Sequence, residues 1–279
     1  MLLHSYNISI ICSLSPSPNH GSQSTSIKNP HTYLKFRTSH MQNLRYLKTI
    51  GIINPETTPH KNPSPETIAH LLSTVNFLKS RGFSEPDFPR LAFLCPMLFS
   101  ATFDPAQVEP VFEFLYSDVG ASLEESCSLV LRCPGLLESN VEFCLVPTLV
   151  YLKSLGLEKL NLPTTLNAHL LNTRVEKLEE KVMFLQSVGF SYEESARVCA
   201  RLPAIFGYSI EHNLRPKLEF LVREMERSIE EVKDFPQYFG FSLSRRIAPR
   251  HFHLKDRNVK IKLNRMLLWS DNRFYAKYK

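Results

Sequence analysis

From about residue 68 the chain repeats itself, and that period limits the possible folds more than any other feature. An aromatic–leucine step recurs at Phe77-Leu78, Phe114-Leu115, Tyr151-Leu152, Phe184-Leu185 and Phe220-Leu221, at intervals of 37, 37, 33 and 36 residues. A glycine follows four of the five steps: Gly82, Gly120, Gly156 and Gly189. A proline ahead of apolar residues forms a second anchor, as CPMLF at 95–99, CPGLL at 133–137, LPAIF at 202–206 and FPQYF at 235–239. AHLLN at 168–172 fills the gap between Pro134 and Pro203. A period of this length implies stacked supersecondary units, each burying its apolar face on its neighbours.

Each unit has a physical reading. Val111, Phe114 and Leu115 are spaced i, i+3, i+4 and make one apolar stripe on a helix. Pro110, Pro147 and Pro216 each precede the aromatic by four residues and fit the first turn, where a missing N–H breaks no bond. Glycine then ends the helix at a residue free to take positive φ. The second helix opens with a capping box at Ser122 with Glu125, Ser191 with Glu194 and Ser228 with Glu231, and in a shorter form at Ser84 with Asp87. It stops before the anchoring proline, which disfavours a helical residue ahead of it. The stretch LNLPTTLNAHLLNT at 160–173 has lost both the anchoring proline and the capping serine. The expected fold is an all-α helical-repeat solenoid over residues 68–255, in about five units.

The periodicity also removes candidate chemistry. The acid pairs Glu124-Glu125, Glu193-Glu194 and Glu230-Glu231 recur directly after a capping serine, where carboxylates suit a helix N-terminus. Cys95 and Cys133 share one repeat position that Leu202 and Phe235 fill elsewhere, so they read as small core residues and not as nucleophiles. No CxxC pair exists among the six cysteines, which argues against a zinc ribbon or a disulfide scaffold. His251-x-His253 lacks a third ligand and reads as an exposed pair in a basic segment. Nine glycines against 19 prolines argue against a glycine-rich phosphate loop. No enzyme activity, cofactor or metal is expected, and no stretch approaches the roughly 18 to 20 apolar residues that span a bilayer.

Charge is strongly partitioned. Residues 1–55 carry five basic residues and no acid, with nine serines in the first 39 positions. That composition suggests an organelle transit peptide, and its late first lysine, Lys28, favours a plastid over a mitochondrion. Residues 56–67 are proline-rich and read as a linker. Residues 56–240 have a net charge of −8, whereas residues 241–279 have +9, so 256–279 reads as a basic C-terminal segment.

Together, the proline anchor, the aromatic–leucine step followed by glycine and a period near 35 resemble the mTERF family, the mitochondrial transcription termination factor-like proteins. FPQYFGFSLSRRIAPRHFHLK at 235–255 looks like the end of the array in plant members, and the resemblance covers about residues 70–270. It implies a left-handed superhelix whose units hold two α-helices and a 3₁₀ turn. It also implies binding of organellar double-stranded DNA or RNA along a concave basic surface, in transcription termination, its regulation, or RNA processing. The acidic body departs from that pattern.

Two groups of residues are candidates for the nucleic-acid contact. Arg132 and Arg201 share one repeat position, two residues before the anchoring proline, and Arg197 lies one turn before Arg201. An arginine near a helix C-terminus also suits the macrodipole, which is an equally open reading. The second group is Arg245, Arg246, Arg250, Lys255, Arg257, Lys260 and Lys262, dense enough to favour a bound polyanion or else a merely solvated end. Phe252, Trp269, Phe274 and Tyr275 lie close enough in sequence to stack on bases. The expected molecule is a monomeric, chloroplast nucleic-acid-binding protein, with nucleoid or transcription-complex proteins as further partners and no membrane contact. The alternative is a helical-repeat scaffold whose acidic body meets a basic protein of the organellar nucleoid.

Overall fold

The computed structural model describes residues 31–53 and 63–279, with side chains in the first helix described from His40 onward. Among the described residues there is no β-strand. The first helix, α1 (His31–Thr49), is followed by six helix pairs. These are α2 (Pro65–Ser80) with α3 (Phe88–Leu94), α4 (Glu109–Ser117) with α5 (Leu123–Arg132), and α6 (Val146–Ser154) with α7 (Thr165–Leu171). They continue as α8 (Val175–Ser187) with α9 (Tyr192–Arg201), α10 (Arg215–Glu219) with α11 (Glu230–Asp234), and α12 (Ala248–Lys255) with α13 (Leu263–Leu268). A final helix, α14 (Asp271–Lys277), closes the chain. The fold is the expected all-α repeat array.

One hydrogen bond recurs at the end of every first helix. The carbonyls of Leu47, Leu78, Leu115, Leu152, Leu185, Leu221 and Leu254 each accept an N–H from five or six residues later, at 2.9 to 3.2 Å from Ile52, Phe83, Ala121, Leu157, Phe190, Arg227 and Val259. Such a closure needs a left-handed residue between donor and acceptor. Gly51, Gly82, Gly120, Gly156 and Gly189 supply it, with Glu226 at φ 52° and Asn258 at φ 54° in the last two units. Every positive-φ residue among those described sits at one of these seven ends. The seven leucine side chains are all buried in one continuous core.

The proline anchors start 3₁₀ turns at Pro96–Phe99, Pro134–Glu138, Pro203–Gly207 and Pro236–Gly240, with Leu98, Leu136, Ile205 and Tyr238 pointing into the core. Both arms of the capping box form at Ser122 with Glu125 and at Ser191 with Glu194. The Asp87 carboxylate accepts from Ser84 N at 2.8 Å and Ser84 Oγ at 2.7 Å.

The box at Ser228 does not close. Ser228 Oγ accepts from Glu230 N at 3.2 Å, while Glu231 is drawn to Arg227 Nη1 at 2.7 Å. In the degenerate stretch, Thr164 takes over the cap and accepts from Asn167 N at 3.1 Å. Asn172 ends α7, whereas α3, α5, α9 and α11 each run into a proline turn.

Pro110, Pro147 and Pro216 all lie in the first turn of their α-helices, as expected. Wide turns run directly into α6, α10 and α12, at Val141–Leu145 ahead of Pro147, Ile210–Leu214 ahead of Pro216 and Leu243–Ile247 ahead of Pro249. Asn140, Ser209 and Ser242 cap these turns through their side chains. Proline in a continuing helix removes one N–H and pushes its ring against the carbonyl four residues back. A turn closed by i→i+5 bonds, such as Leu145 N to Asn140 O at 3.1 Å, makes room for it.

The array is longer than expected at both ends. Leu44, Leu47, Ile50 and Ile53, assigned by composition to the leader, are buried in the core, and α2 begins inside the expected linker at Pro65. Residues 1–30 and 54–62 lie outside the described residues. At the other end, 256–279 is no loose segment: Leu263, Met266, Leu267 and Phe274 are buried in α13 and α14.

Lys217 is buried in α10, where Nζ donates to Asn213 Oδ1 at 2.7 Å and to Phe239 O at 2.5 Å. Burial pushes its ammonium down to about 8 from the ordinary 10.5. The folded protein therefore releases this proton near pH 8, while the unfolded chain holds it to about 10.5. In that window the unfolded state binds more protons, so the Lys217 contribution to stability rises with pH. Urea titrations at pH 7.5 and 10 should show wild type gaining stability relative to Lys217→Met across the window. A pH-independent difference between the two would refute the assignment.

A second test concerns Glu226. A side chain in the left-handed region costs about 1–2 kcal/mol, offset in part by the extra freedom glycine brings to the unfolded chain. Glu226→Gly should stabilise the protein by roughly 0.5–1 kcal/mol in urea, and Glu226→Ala should leave stability nearly unchanged.

Candidate nucleic-acid interface

The ten basic candidates fall into two structural classes. Arg201 ends α9 and reaches into the next unit, donating Nη1 to Lys233 O at 3.0 Å and Nη2 to Asp234 O at 2.7 Å. Those carbonyls are the last of α11, where the macrodipole favours a cation. Arg132 at the end of α5 does the equivalent, with Nε donating to Pro163 O at 2.5 Å, just ahead of α7. Their shared repeat position is thus a clasp between successive units.

Arg246 and Arg250 are also clasps. Arg246 donates Nε to Leu267 O at 2.9 Å and Nη2 to Trp269 O at 2.5 Å. Arg250 is only 1% exposed, with Nη1 on Met266 O at 2.5 Å and Nη2 on Trp269 O at 2.8 Å and Asp271 Oδ1 at 2.5 Å. Its guanidinium lies 4.5 Å from the centre of the Phe274 ring, and its hydrogen bond holds the Asp271 carboxyl below the ordinary value. The expectation that Arg250 touches a polyanion is therefore corrected. This side chain pins α13 and the start of α14 to α12, through the Met266 and Trp269 carbonyls and the Asp271 carboxylate.

Five candidates keep exposed cationic heads with no partner among the described residues: Arg197, Arg245, Lys255, Lys260 and Lys262. Arg257 is exposed and donates Nη1 to His253 O at 3.1 Å. Lys255, Lys260 and Lys262 converge on one cleft of about 790 Å³ between the last two helix pairs. Glu224, Glu226, Glu231 and Asp234 line the same cleft, together with the apolar Met225, Phe235 and Leu254. Arg197 belongs to α9 and is not part of this cleft.

His251 and His253 are half-buried and do not form an exposed pair. His253 Nε2 lies 2.5 Å from Tyr278 O, and His251 stands edge-on to Phe220 with its charged form disfavoured by burial. Among the aromatics, Phe274 is fully buried. The Trp269 ring is stacked by Tyr278 and has the Arg273 guanidinium 4.2 Å from its centre. Phe252 and Tyr275 remain exposed. Burial pushes the thiols of Cys95 and Cys199 up to about 12 and that of Cys127 to about 11, which suits core residues and no nucleophile.

Sequence reasoning missed Arg227, which donates Nη2 to Ile261 O at 2.6 Å and pairs with Glu231. The signal was present in the arginine that follows a helix end with no glycine, but its carbonyl partner lies 34 residues away.

Fold and surface together define a helical-repeat solenoid with arginine clasps between units and free cations at its C-terminal end. The chain belongs to the mTERF family, whose profile matches residues 103–275. It is 36% identical over 98 residues to the Arabidopsis thaliana protein named transcription termination factor MTERF2, chloroplastic, covering 35% of this chain and 15% of that one. It is 24% identical over 243 residues to the same plant's MTERF8, also named chloroplastic, covering 74% of this chain and 48% of that one. A rat protein named transcription termination factor 3, mitochondrial, is 33% identical over 101 residues, covering 36% of this chain and 24% of its own. The chain thus spans less than half the length of these relatives.

The two classes of arginine separate experimentally. Arg250→Gln should cost about 2–3 kcal/mol in urea unfolding, because buried carbonyls lose their donors. Arg245→Gln should stay within about 0.5 kcal/mol of wild type, as expected for an exposed side chain.

Proposed function

We propose that this chain binds organellar nucleic acid, double-stranded DNA or RNA, and thereby terminates or regulates transcription or organises a transcript for processing. The action is binding and involves no bond-making step. The observation that carries the reading is the set of unpartnered cations at the end of a net-acidic array: Lys255, Lys260 and Lys262 around one cleft, with Arg245 on the same terminal unit. Family membership and the names of the relatives support it. Phosphate contacts of this kind position a nucleic acid without reading its sequence. Arg132 and Arg201 support the interface by holding successive units in register, and Arg246 and Arg250 by holding α13 and the start of α14 to the α12 region. Arg197 offers a separate contact on α9.

The compartment we propose is the chloroplast, from the serine-rich, acid-free start and the naming of the plant relatives. A reporter carrying residues 1–39 should enter plastids, since the buried residues from Leu44 onward belong to the array. Fluorescence confined to the cytosol would refute the leader; mitochondrial fluorescence would change the organelle.

Replacing Lys255, Lys260 and Lys262 by Gln should weaken binding to all sequences alike. The slope of log affinity against log salt should flatten by up to about three units, roughly one per lost phosphate contact, with unfolding free energy unchanged. The second reading, a scaffold for a basic protein, draws on the acidic body of residues 56–240. It prevails if the wild-type protein binds neither DNA nor RNA above background at low salt.

A further inference from the structure

The residue after the first-helix proline occupies one repeat position in four units: Val111, Thr148, Lys217 and Arg250 follow Pro110, Pro147, Pro216 and Pro249. All four side chains are buried. Val111 and Thr148 show that the fold needs no charge there. Lys217 and Arg250 do the same structural task, each donating to a main-chain carbonyl further along the chain, Phe239 O and Met266 O, both at 2.5 Å. Their charges are matched differently. Arg250 meets the Asp271 carboxylate at 2.5 Å, whereas Lys217 has only the neutral Asn213 Oδ1 at 2.7 Å and the Tyr208 ring at 5.7 Å. Lys217 pairs with no carboxylate among the described residues, and a buried cation without an anion is costly.

Where Arg250 has Asp271, Lys217 has a cleft. Its volume is about 540 Å³, within the roughly 300–1,000 Å³ of small-ligand sites. Lys217 and both of its acceptors line it, with Tyr208, His212 and Ser244. No acidic residue lines it. Glu211, beside His212 in sequence, is held away by Arg215 through two hydrogen bonds at 3.0 Å. The two acceptors of Lys217 leave one ammonium N–H unassigned. The hydroxyls of Tyr208 and Ser244 and the ring of His212 add donors around it, and Arg245 stands exposed on the same wide turn as Ser244. One cation with several neutral donors and no competing carboxylate suits a ligand that carries several oxygen acceptors and a negative charge. We propose that this cleft is a phosphate-binding site, in which a phosphate group serves Lys217 as Asp271 serves Arg250. The same chemistry accepts a phosphate of a nucleic-acid strand or a free phosphate or nucleotide. The site is separate from the cleft of Lys255, Lys260 and Lys262.

The test is urea unfolding of the full chain at pH 7 with inorganic phosphate as the probe, against chloride at matched ionic strength. Because only the folded state holds the site, phosphate should raise the wild-type midpoint beyond chloride. The phosphate dissociation constant drawn from that dependence should rise at least about tenfold in Lys217→Met, which loses the charged donor. Ser244→Ala changes an exposed side chain, so it keeps the fold and should weaken phosphate several-fold. Circular dichroism on each variant checks folding. A wild type that responds equally to phosphate and chloride, or folded Lys217→Met and Ser244→Ala variants that bind phosphate as wild type does, overturns the proposal. Duplex DNA and RNA then identify the source. If the ligand is a strand phosphate, Lys217→Met and Ser244→Ala should also weaken nucleic-acid binding, with the salt slope in Lys217→Met flatter by about one unit. If it is free, nucleic-acid affinity stays at the wild-type value while phosphate binding falls. Phosphate binding by a wild type that binds neither DNA nor RNA would uphold this site and refute the nucleic-acid reading.

Discussion

The architecture depends on one closure, repeated seven times: a leucine carbonyl at the end of a first helix captured by an N–H five or six residues on. The bond reverses the chain within a single left-handed residue and sends the second helix back along the first. The same leucine fills the core, so each reversal is tied to burial. Because the closure is local, it forms without waiting for distant contacts, and it recurs even where Glu226 and Asn258 replace the favoured glycine.

Between units the adhesive is different. Arg132, Arg201 and Arg227 reach across to main-chain carbonyls of the next unit, and Arg250 does the same from α12 to α13 within the last pair. Acids sit at helix N-termini, where Glu125 and Glu194 close capping boxes. The array thus uses some of its acids as caps and several of its arginines as clasps. This leaves Lys255, Lys260 and Lys262 as the free cations that set the character of the terminal cleft.

Much of the fold was legible because its signals are short-range. Glycine five or fewer residues after an aromatic–leucine step, serine three before glutamate, and proline ahead of apolar residues each report a bond or dihedral within six residues. The misjudged details come from competition. Glu231 abandons Ser228 for Arg227, and Thr164 substitutes for the missing serine. At the ends, composition misled: Leu44 and Leu47 lie in an acid-free stretch, yet they have the spacing of a buried helix face.

The sequence by itself determined the all-α repeat, its period, its helix ends and its caps, since each is a relation between near neighbours on the chain. It also placed a dense set of cations near the C-terminus. Only the tertiary structure decided which of those cations face water. Arg250 and Lys260 are both basic residues in one stretch of sequence, but Arg250 stands opposite the carbonyl end of α13 and Lys260 stands on a cleft wall. Whether a charge is a clasp or a contact depends on what the neighbouring helices bring opposite it, 16 to 34 residues away, and no local pattern carries that information.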